Sequence, residues 1–513
     1  MRLAELVEVS DAVAGTRSRK RKLDLLAGAL GDLDADELDA GVSFLSGEPR
    51  QDRLELGPTA VRETTAPAST DPSLGVVEVD HALQAIADVP PGDGSRTRRR
   101  ELLAALLTRA TPTEQAWLRS LVLRELRQGA LEGLLVQAIA KAGGIDDAPV
   151  RRAAMLTGDL RRTAAMTLTG GGRELEQVRL EIGTALQPML AASSPDLDHA
   201  LEGRDEVCLE AKLDGARLQV HRDGDEVRVF TRNLHEVTDR LPEVVEAVRS
   251  LPASTLVLDG EAIGLDGDGR PLPFQETMQR FGREDAGAVG PQRLHPRFFD
   301  VLHAEGEDVF DRPLRERLVV LATQVSADLR VDQLVTADGA QSRDFVQRTL
   351  ASGHEGVMVK DLDAPYEAGR RGSAWRKVKP VHTLDLVVLA VEWGSGRRRG
   401  WLSNLHLGAR VDDGEGFVML GKTFKGLTDE TLAWQTEQLL AREVERDGHV
   451  VHVRPELVVE IALDGVVRSP RYPGGLALRF ARVRGYRPDK DPADADTLAT
   501  VRAIHEGTWL PTA

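Results

Sequence analysis

The chain has 513 residues, more than one ordinary hydrophobic core organises, and its length accommodates about three domains. Its 66 Lys+Arg against 82 Asp+Glu leave a net charge of -16, which argues against indiscriminate nucleic-acid binding through overall charge but leaves room for a local basic face. The single cysteine, Cys208, excludes a disulfide framework and a cysteine-based structural zinc within one chain; no stretch approaches the about 18 uninterrupted apolar residues of a membrane span, so a soluble cytoplasmic protein is expected.

Residues 1 to about 180 read as helical. Apolar positions recur at helical spacing in "LDLLAGALGDLDADELDAGVSFL" and "LEGLLVQAIAKA", and β-branched runs are scarce. The segment "PTAVRETTAPASTDPSLG" reads as an exposed loop and "PPGDGS" as a helix boundary. "SRKRKLDLLAGAL" from Ser18 and "SRTRRRELLAALL" from Ser95 share Ser-Arg, a second Arg and Leu-Leu-Ala at the same offsets. Both read as helix N-termini. Either two basic amphipathic helices coincide, or related units present Arg19, Lys20, Arg21 and Arg96, Arg98, Arg99 to a phosphate backbone.

From about residue 205 the pattern changes to alternation and hairpins. "VCLEAKL" and "ARLQVHRDGDEVRVFTRN" predict strands turning at Asp223-Gly224, "STLVLDGEAIGLD", "RFFDVLHA" and "EGVMVKDL" add apolar strands, and "RLPEVVEAVRSL" is a helix between them. After Pro380 come "TLDLVVLAVEWG", "LHLGARVD", "GFVMLGKTF" and "ELVVEIALDGVV", with one helix near 428 to 445. Five or so strands with one helix suit a small Greek-key barrel of the oligonucleotide-binding type.

The middle region carries the chemistry. Lys212, two residues before Asp214-Gly215, is a candidate nucleophile, but an amine with a pKa of about 10.4 is only about one part in a thousand neutral near pH 7.5. Lowering that pKa by ~3 units takes ~4 kcal/mol, within reach of partial burial and nearby cations such as Lys377 and Lys379, which alternate on one face of "GSAWRKVKP" and could also hold a phosphate. Glu261 and Glu355 end apolar strands, and such carboxylates suit Mg2+ bound mainly by water and phosphate. Lysine, magnesium and phosphate clamps together point to nucleotidyl transfer.

The ordered set K-L-D-G-A-R (212–217), T-R-N (231–233), L-D-G-E (258–261), F-F-D-V-L (298–302), E-G-V-M-V-K (355–360), W-R-K-V-K (375–379) and R-P-D-K (487–490) resembles the ATP-dependent DNA ligases, covalent nucleotidyltransferases related to mRNA capping enzymes and RNA ligases. "SDAVAGTRSRKRKLDLLAGAL", "LSGEPRQDRLELG" and "LEGLLVQAIAKAGG" extend the resemblance to the helical DNA-binding domain of the larger cellular and archaeal-type ligases, and the Ala-, Gly- and Arg-rich style to a bacterial branch. The resemblance implies a multidomain chain: an all-α DNA-binding domain (1–185), an α+β nucleotidyltransferase domain of the ATP-grasp-like ligase type (186–380) and a C-terminal β-barrel OB-fold (381–513). ATP and Mg2+ are implied, as is a monomer acting on nicked double-stranded DNA and associated with the nucleoid, in replication, repair or recombination.

Residue by residue, the resemblance implies that Lys212 attacks the α-phosphate of ATP and becomes lysyl-AMP. Glu210 reads the adenine amino group, Phe299 stacks on the base, and Arg217 and Arg232 hold ribose and phosphate. Glu261 and Glu355 serve metal and ribose; Lys360, Lys377 and Lys379 engage the α-phosphate; Arg487, Asp489 and Lys490 orient the leaving pyrophosphate. Ala481 stands where the family commonly has proline and Gly485 where a basic residue is usual, with Arg484 one place earlier as a substitute. An NAD-dependent ligase would carry a four-cysteine zinc module, and a capping enzyme or RNA ligase would lack the long helical region. A non-catalytic DNA clamp would not keep Lys212, Glu261, Glu355, Lys377 and Lys379 together. Trp375 reads as packing, and Phe299 could equally be core. His221 and His235 read as structural or surface residues, and Cys208 has no catalytic role.

Overall fold

The helical periodicity of the N-terminal third is realised as a run of short helices, among them Leu3–Gly15, Arg19–Gly31, Leu38–Ser46, Val76–Ala87, Ser95–Arg109, Pro112–Val122, Glu132–Ala142 and Asp147–Thr157. The computed structural model describes residues 1–51, 53–126, 132–272, 276–278, 293–367, 371–379, 381–412 and 416–506. Leu6, Leu26, Phe44, Leu83, Leu103, Leu118 and Ile139 come from different helices and meet in one apolar core. Within it Trp117 lies edge-on to Phe44 and donates its Nε1–H to Ser10 Oγ at 3.0 Å, so the indole's one polar atom is satisfied. The segment expected to be wholly loop contains a helix, Pro58–Glu63. Proline at its first turn needs no donor there, and six residues are too few to show an amphipathic period. The two similar basic segments end differently: Ser18 caps its helix by accepting from Arg21 N, whereas Ser95 follows a left-handed Gly94 that serves as the cap.

The chain divides into two compact units: Met1–Ala192 with Arg204–Asp338 and Val359–Arg376, and Ser193–Gly203 with Gly339–Met358 and Lys377–Ala513. In the first, the strands are β1 (Leu190–Ser193), β2 (Val207–Lys212), β3 (Ala216–Asp223), β4 (Glu226–Thr231), β5 (Thr255–Gly264), β6 (Leu294–Ala304), β7 (Glu307–Asp308) and β8 (Gln333–Thr336); β9 (Gly356–Asp361) and β10 (Arg371–Val378) follow. They form an antiparallel sheet in the order β4-β3-β5-β6-β7 and a second sheet in the order β1-β10-β9-β2-β8. Helices Pro242–Arg249 and Leu314–Gln324 put Val244, Val248, Leu314 and Leu321 against Leu218, Leu258, Phe298 and Val301. Because strand side chains alternate, covering that face leaves the opposite one, with Arg217, Asp259 and Glu261, for polar groups. Asp300 and Arg317, both fully buried, are tied by two hydrogen bonds of 2.8 and 3.1 Å.

In the second unit, β11 (His382–Trp393), β12 (Leu402–Arg410), β13 (Phe417–Thr423), β14 (Glu443–Asp447), β15 (Val450–Val453), β16 (Val458–Leu463) and β19 (Arg482–Tyr486) make a seven-stranded sheet, and β17 (Gly465–Arg468) pairs with β18 (Leu476–Arg479). The long β11 serves two neighbourhoods. Its first half, from His382 to Val387, pairs with β16, and its second half with β12 and β15, with register shifts between Val388 and Ala390 and between Glu392 and Trp393. Among the described residues the pairing does not close into a ring. The expected helix is Asp429–Leu440, capped by Thr428, and stops short of 445 because Glu443–Asp447 is strand. Among the described residues no helix is long and apolar enough to cross a membrane.

Candidate active site

Lys212 is the last residue of β2, and the turn Leu213–Gly215 carries the chain into β3. A side chain at Gly215 would put its Cβ 2.3 Å from Ala262 O and 2.7 Å from Ile263 Cγ2, so only glycine lets this turn lie against β5. The close approach lets Gly215 N donate to Glu261 Oε1 at 2.8 Å, which ties the lysine turn to the acidic strand. Gly260 answers a similar demand: its Cβ would meet Arg297 O at 2.7 Å. Lys212 is half-buried, with Nζ 3.3 Å from Leu213 O. Burial pushes the Glu261 carboxyl up to about 7 against the attraction of Lys212, the Gly215 amide and Arg217.

Arg217 pairs in register with Glu261 and reaches diagonally to Asp259, donating to both carboxylate oxygens at 3.1 and 2.7 Å. Its third nitrogen donates to Met189 O at 2.7 Å. Burial opposes its charge, but Asp259 and further acidic neighbours hold the guanidinium more firmly protonated than usual. Tyr366 completes the set. Its hydroxyl donates to Asp259 Oδ2 at 2.6 Å and accepts from Met189 N at 3.0 Å.

Alternation on β6 sends Phe298 into the core and leaves Phe299 half-buried on the other side, where it meets Trp375 edge-on with ring centroids 5.9 Å apart. Trp375 also contacts Tyr366 at 5.8 Å. Lys360 lies among them, with Nζ 4.6 Å from the Phe299 ring, 4.2 Å from the Trp375 ring and 2.6 Å from Glu210 Oε2. Both charged side chains are at most 2 % exposed. Burial raises the Glu210 carboxyl, and Lys360 works against that rise. Lys360, expected at the α-phosphate, is thus held beside the group expected to read the base.

Arg232 lies elsewhere. It lines a cleft of about 1500 Å³ whose wall also includes Arg17, Arg19 and Lys22 from the N-terminal helices. Of the six arginines and lysines singled out in the two basic segments, Arg19 is in that wall, whereas Arg99 is buried and donates to Val89 O at 2.6 Å.

In the second unit, Lys379 forms an ion pair with Glu355 and lies 3.7 Å from Asp464. Lys377 is half-buried, and its backbone carbonyl accepts from Ser194 N. Arg487 grips both oxygens of Asp489, at 2.8 and 2.6 Å, and Lys490 pairs with Asp385. That fork drops the Asp489 carboxyl to about 2.

The sequence reading assigned no role to Asp259 or Tyr366, whereas Trp375, read as packing, is buried. Only three tyrosines occur in the chain, and a buried one needs a partner for its hydroxyl, so Tyr366 was the available signal. It also missed Phe424 and Phe480, which are 54 % and 56 % exposed. Arg398 stands over Phe424, Lys425 and Arg479 flank Phe480, and Phe480 holds a left-handed φ of 55°, a conformation that costs a non-glycine residue ~1–3 kcal/mol.

Residues 188–379 match the family model described as "ATP dependent DNA ligase domain", residues 398–490 the "ATP dependent DNA ligase C terminal region", and residues 59–140 the "DNA ligase N terminus". A "Probable DNA ligase" of Anaeromyxobacter sp. (strain Fw109-5) is 58% identical over 511 residues, covering 98% of both chains. A "Probable DNA ligase" of Saccharopolyspora erythraea is 54% identical over 502 residues, again with 98% of each chain covered. The solved structure "Pmar-Lig_Pre." shares the fold at a TM-score of 0.61 and 20% identity, over 94% of this chain and 99% of its own.

Proposed function

Because the chain belongs to the ATP-dependent DNA ligase family and is an enzyme of that class, we propose that it seals nicks in duplex DNA through an AMP adduct on Lys212. Lys212 Nζ gives up a proton and attacks the α-phosphate of ATP; a P–N bond forms, the bond to the β-phosphate breaks and pyrophosphate leaves. AMP then passes to the 5'-phosphate at a nick, and the 3'-hydroxyl attacks that phosphate and expels AMP.

The observation that carries the reading is the setting of Lys212. It stands on a glycine-dependent turn bonded to Glu261, in the same unit as a buried Glu210, a half-open Phe299 ring and the fully engaged Arg217. Glu210, paired with Lys360, reads the adenine amino group, Phe299 stacks on the base, and Arg217, fixed by Asp259 and Tyr366, meets ribose and phosphate. Lys377 and Lys379 act at the α-phosphate, and Arg487, Asp489 and Lys490 at the departing pyrophosphate. Burial disfavours the charge of the half-buried Glu261 carboxylate in spite of Lys212 and Arg217 beside it, and carboxylate oxygens in such a setting suit a hard divalent cation. Glu261 and Glu355 would hold Mg2+, which when bound neutralises charge on the phosphate oxygens.

The partner is nicked duplex DNA and the working form a monomer in the cytoplasm, at the nucleoid. Arg17, Arg19, Lys22 and Arg232 face the phosphate backbone across their cleft, and Phe424 and Phe480 with their cations form a second DNA-facing patch, since exposed aromatics among cations suit nucleic acid. The functional division is 1–185, 186–380 and 381–513, the last of the OB-fold type. The test is ATP-dependent joining of a singly nicked duplex: wild type joins it, Lys212→Ala does not, and joining by Lys212→Ala would end the proposal.

A further inference from the structure

Arg487 and Lys490 are like charges three residues apart on a turn, 30 % and 33 % exposed; Lys490 N donates to Arg487 O at 3.2 Å and fixes the main chain, but among the described residues no side chain of that turn bridges the two cations. Asp489 occupies the Arg487 fork and leaves Lys490 alone. What joins them is more than a hundred residues earlier. Asp385, on β11, offers its Oδ2 to both Lys490 Nζ and Arg487 Nη1, the latter at 3.4 Å.

Asp385 is itself fixed on every side. Its backbone N–H donates to Asp496 Oδ2 at 2.7 Å and its carbonyl accepts from Asp496 N at 2.9 Å; the strand register sets it beside Glu460 on β16, where Arg487 N donates to Val458 O. The carboxylate is almost wholly buried, and among the described residues its Oδ1 has no hydrogen-bond partner. An unsatisfied buried oxygen is a standing cost that an apolar residue would avoid. Its retention calls for what the other oxygen does. Without the carboxylate the two cations repel, and Lys490, with four rotatable bonds, has no reason to stay beside the guanidinium. The Lys490 ammonium is held above its ordinary pKa chiefly by this hydrogen bond.

We propose that Asp385 is the positioning residue of this cation pair: it touches no substrate, but fixes Arg487 and Lys490 at the spacing at which they receive the β- and γ-phosphates together. The proposal rests on the reading that Arg487 and Lys490 act on the departing pyrophosphate. On that reading Asp385 matters while pyrophosphate is present and is idle during the later transfers. Asp385→Asn keeps the shape and the backbone bonds and removes the charge, so loss of one charge-assisted contact should slow lysyl-AMP formation about tenfold.

The experiment compares full-length wild type, Asp385→Asn, Asp385→Glu and Arg487→Ala in three assays: single-turnover lysyl-AMP formation against ATP concentration, reversal of the adduct by inorganic pyrophosphate, and closure of a nick supplied already adenylylated. Thermal unfolding is followed alongside. The expected result is that Arg487→Ala fails in the first assay and Asp385→Asn is about tenfold slower there, that Asp385→Asn needs about tenfold more pyrophosphate in the second, and that it closes the pre-adenylylated nick within about twofold of wild type. Asp385→Glu, which restores the charge, should recover part of both losses. If Arg487→Ala forms lysyl-AMP normally, the reading of the segment falls and takes the proposal with it. If Arg487→Ala fails while Asp385→Asn behaves as wild type, or if Asp385→Asn loses all three activities together with its melting transition, the segment keeps its role and Asp385 loses the one assigned here.

Discussion

Replacing Lys360 by methionine keeps the length of the side chain and takes a charge out of a place with almost no water. The ammonium and its partner Glu210 are 2.6 Å apart and at most 2 % exposed. Removing one member of such a pair leaves an uncompensated buried charge, at a cost of ~3–5 kcal/mol. The carboxyl has a way to reduce that cost, which is to take up a proton. Burial already raises its pKa with Lys360 present, and without the lysine the rise loses its main opposition. The folded-state pKa then stands above the unfolded one, so the folded state binds more protons and stability falls as pH rises between the two values. At ~1.36 kcal/mol per pH unit for one proton, Lys360→Met should lose up to about 2.7 kcal/mol more, relative to wild type, at pH 7.5 than at pH 5.5. Glu210→Gln/Lys360→Met removes both charges and should recover most of the loss at pH 7.5. The assay is urea unfolding followed by tryptophan emission, Trp375 lying 4.2 Å from the ammonium. A loss under about 1 kcal/mol, or one independent of pH, would refute the argument, because an exposed ion pair behaves in that way.

Tyr366→Phe removes the donor to Asp259 and the acceptor of Met189 N, a loss of ~1.5–3 kcal/mol for a bond to a charged group; kcat/KM for lysyl-AMP formation should fall about tenfold or more while the protein stays folded, and an unchanged ATP dependence would show that Arg217 needs no such support. His221 is buried neutral, accepting from Gly183 N and bonded to Gln219 Oε1, and burial lowers its pKa to about 3. Below its unfolded pKa of about 6.5 only the unfolded state takes the proton, so stability falls with acidification, by about 2 kcal/mol between pH 7.5 and 5; His221→Gln should shrink that part of the pH dependence, measured by urea unfolding. Arg17→Ala/Arg19→Ala/Arg232→Ala should weaken nick binding and lower the slope of log affinity against log salt by up to about 2.7, and an unchanged slope would take this cleft off the DNA path.

What was legible in the sequence was local. Lys212, Asp214 and Gly215 occur within four residues, and the glycine's necessity follows from the turn they make. Alternation separates Phe298 from Phe299 once β6 is seen as a strand, but nothing in "RFFDVL" says which ring the core takes; the helices Pro242–Arg249 and Leu314–Gln324 decide that by covering one face. Long-range partners were not legible. Arg487 and Lys490 are visible as a motif, whereas Asp385 is one acid among 82 and is brought to them by the pairing of β11 with β16 and of β16 with β19. Charge runs misled in part, since Arg99 in "SRTRRR" is buried on a backbone carbonyl although its sequence setting is that of a solvated face. The C-terminal strands were undercounted in part because "ELVVEIALDGVV" runs together two strands, Val458–Leu463 and Gly465–Arg468, and because Leu476–Arg479 is four residues beside a glycine- and proline-rich turn, too short for a period of two to show.

The account stands on one covalent bond. Full-length protein incubated with ATP and Mg2+, then denatured, digested and mapped by mass spectrometry, should carry a single AMP on the peptide that contains Lys212. The adduct should be acid-labile and, once free ATP has been removed, should disappear when excess nicked duplex is added before denaturation. An AMP found on Lys360, Lys377 or any other residue, or a nick closed with ATP while Lys212 never carries AMP, would contradict it.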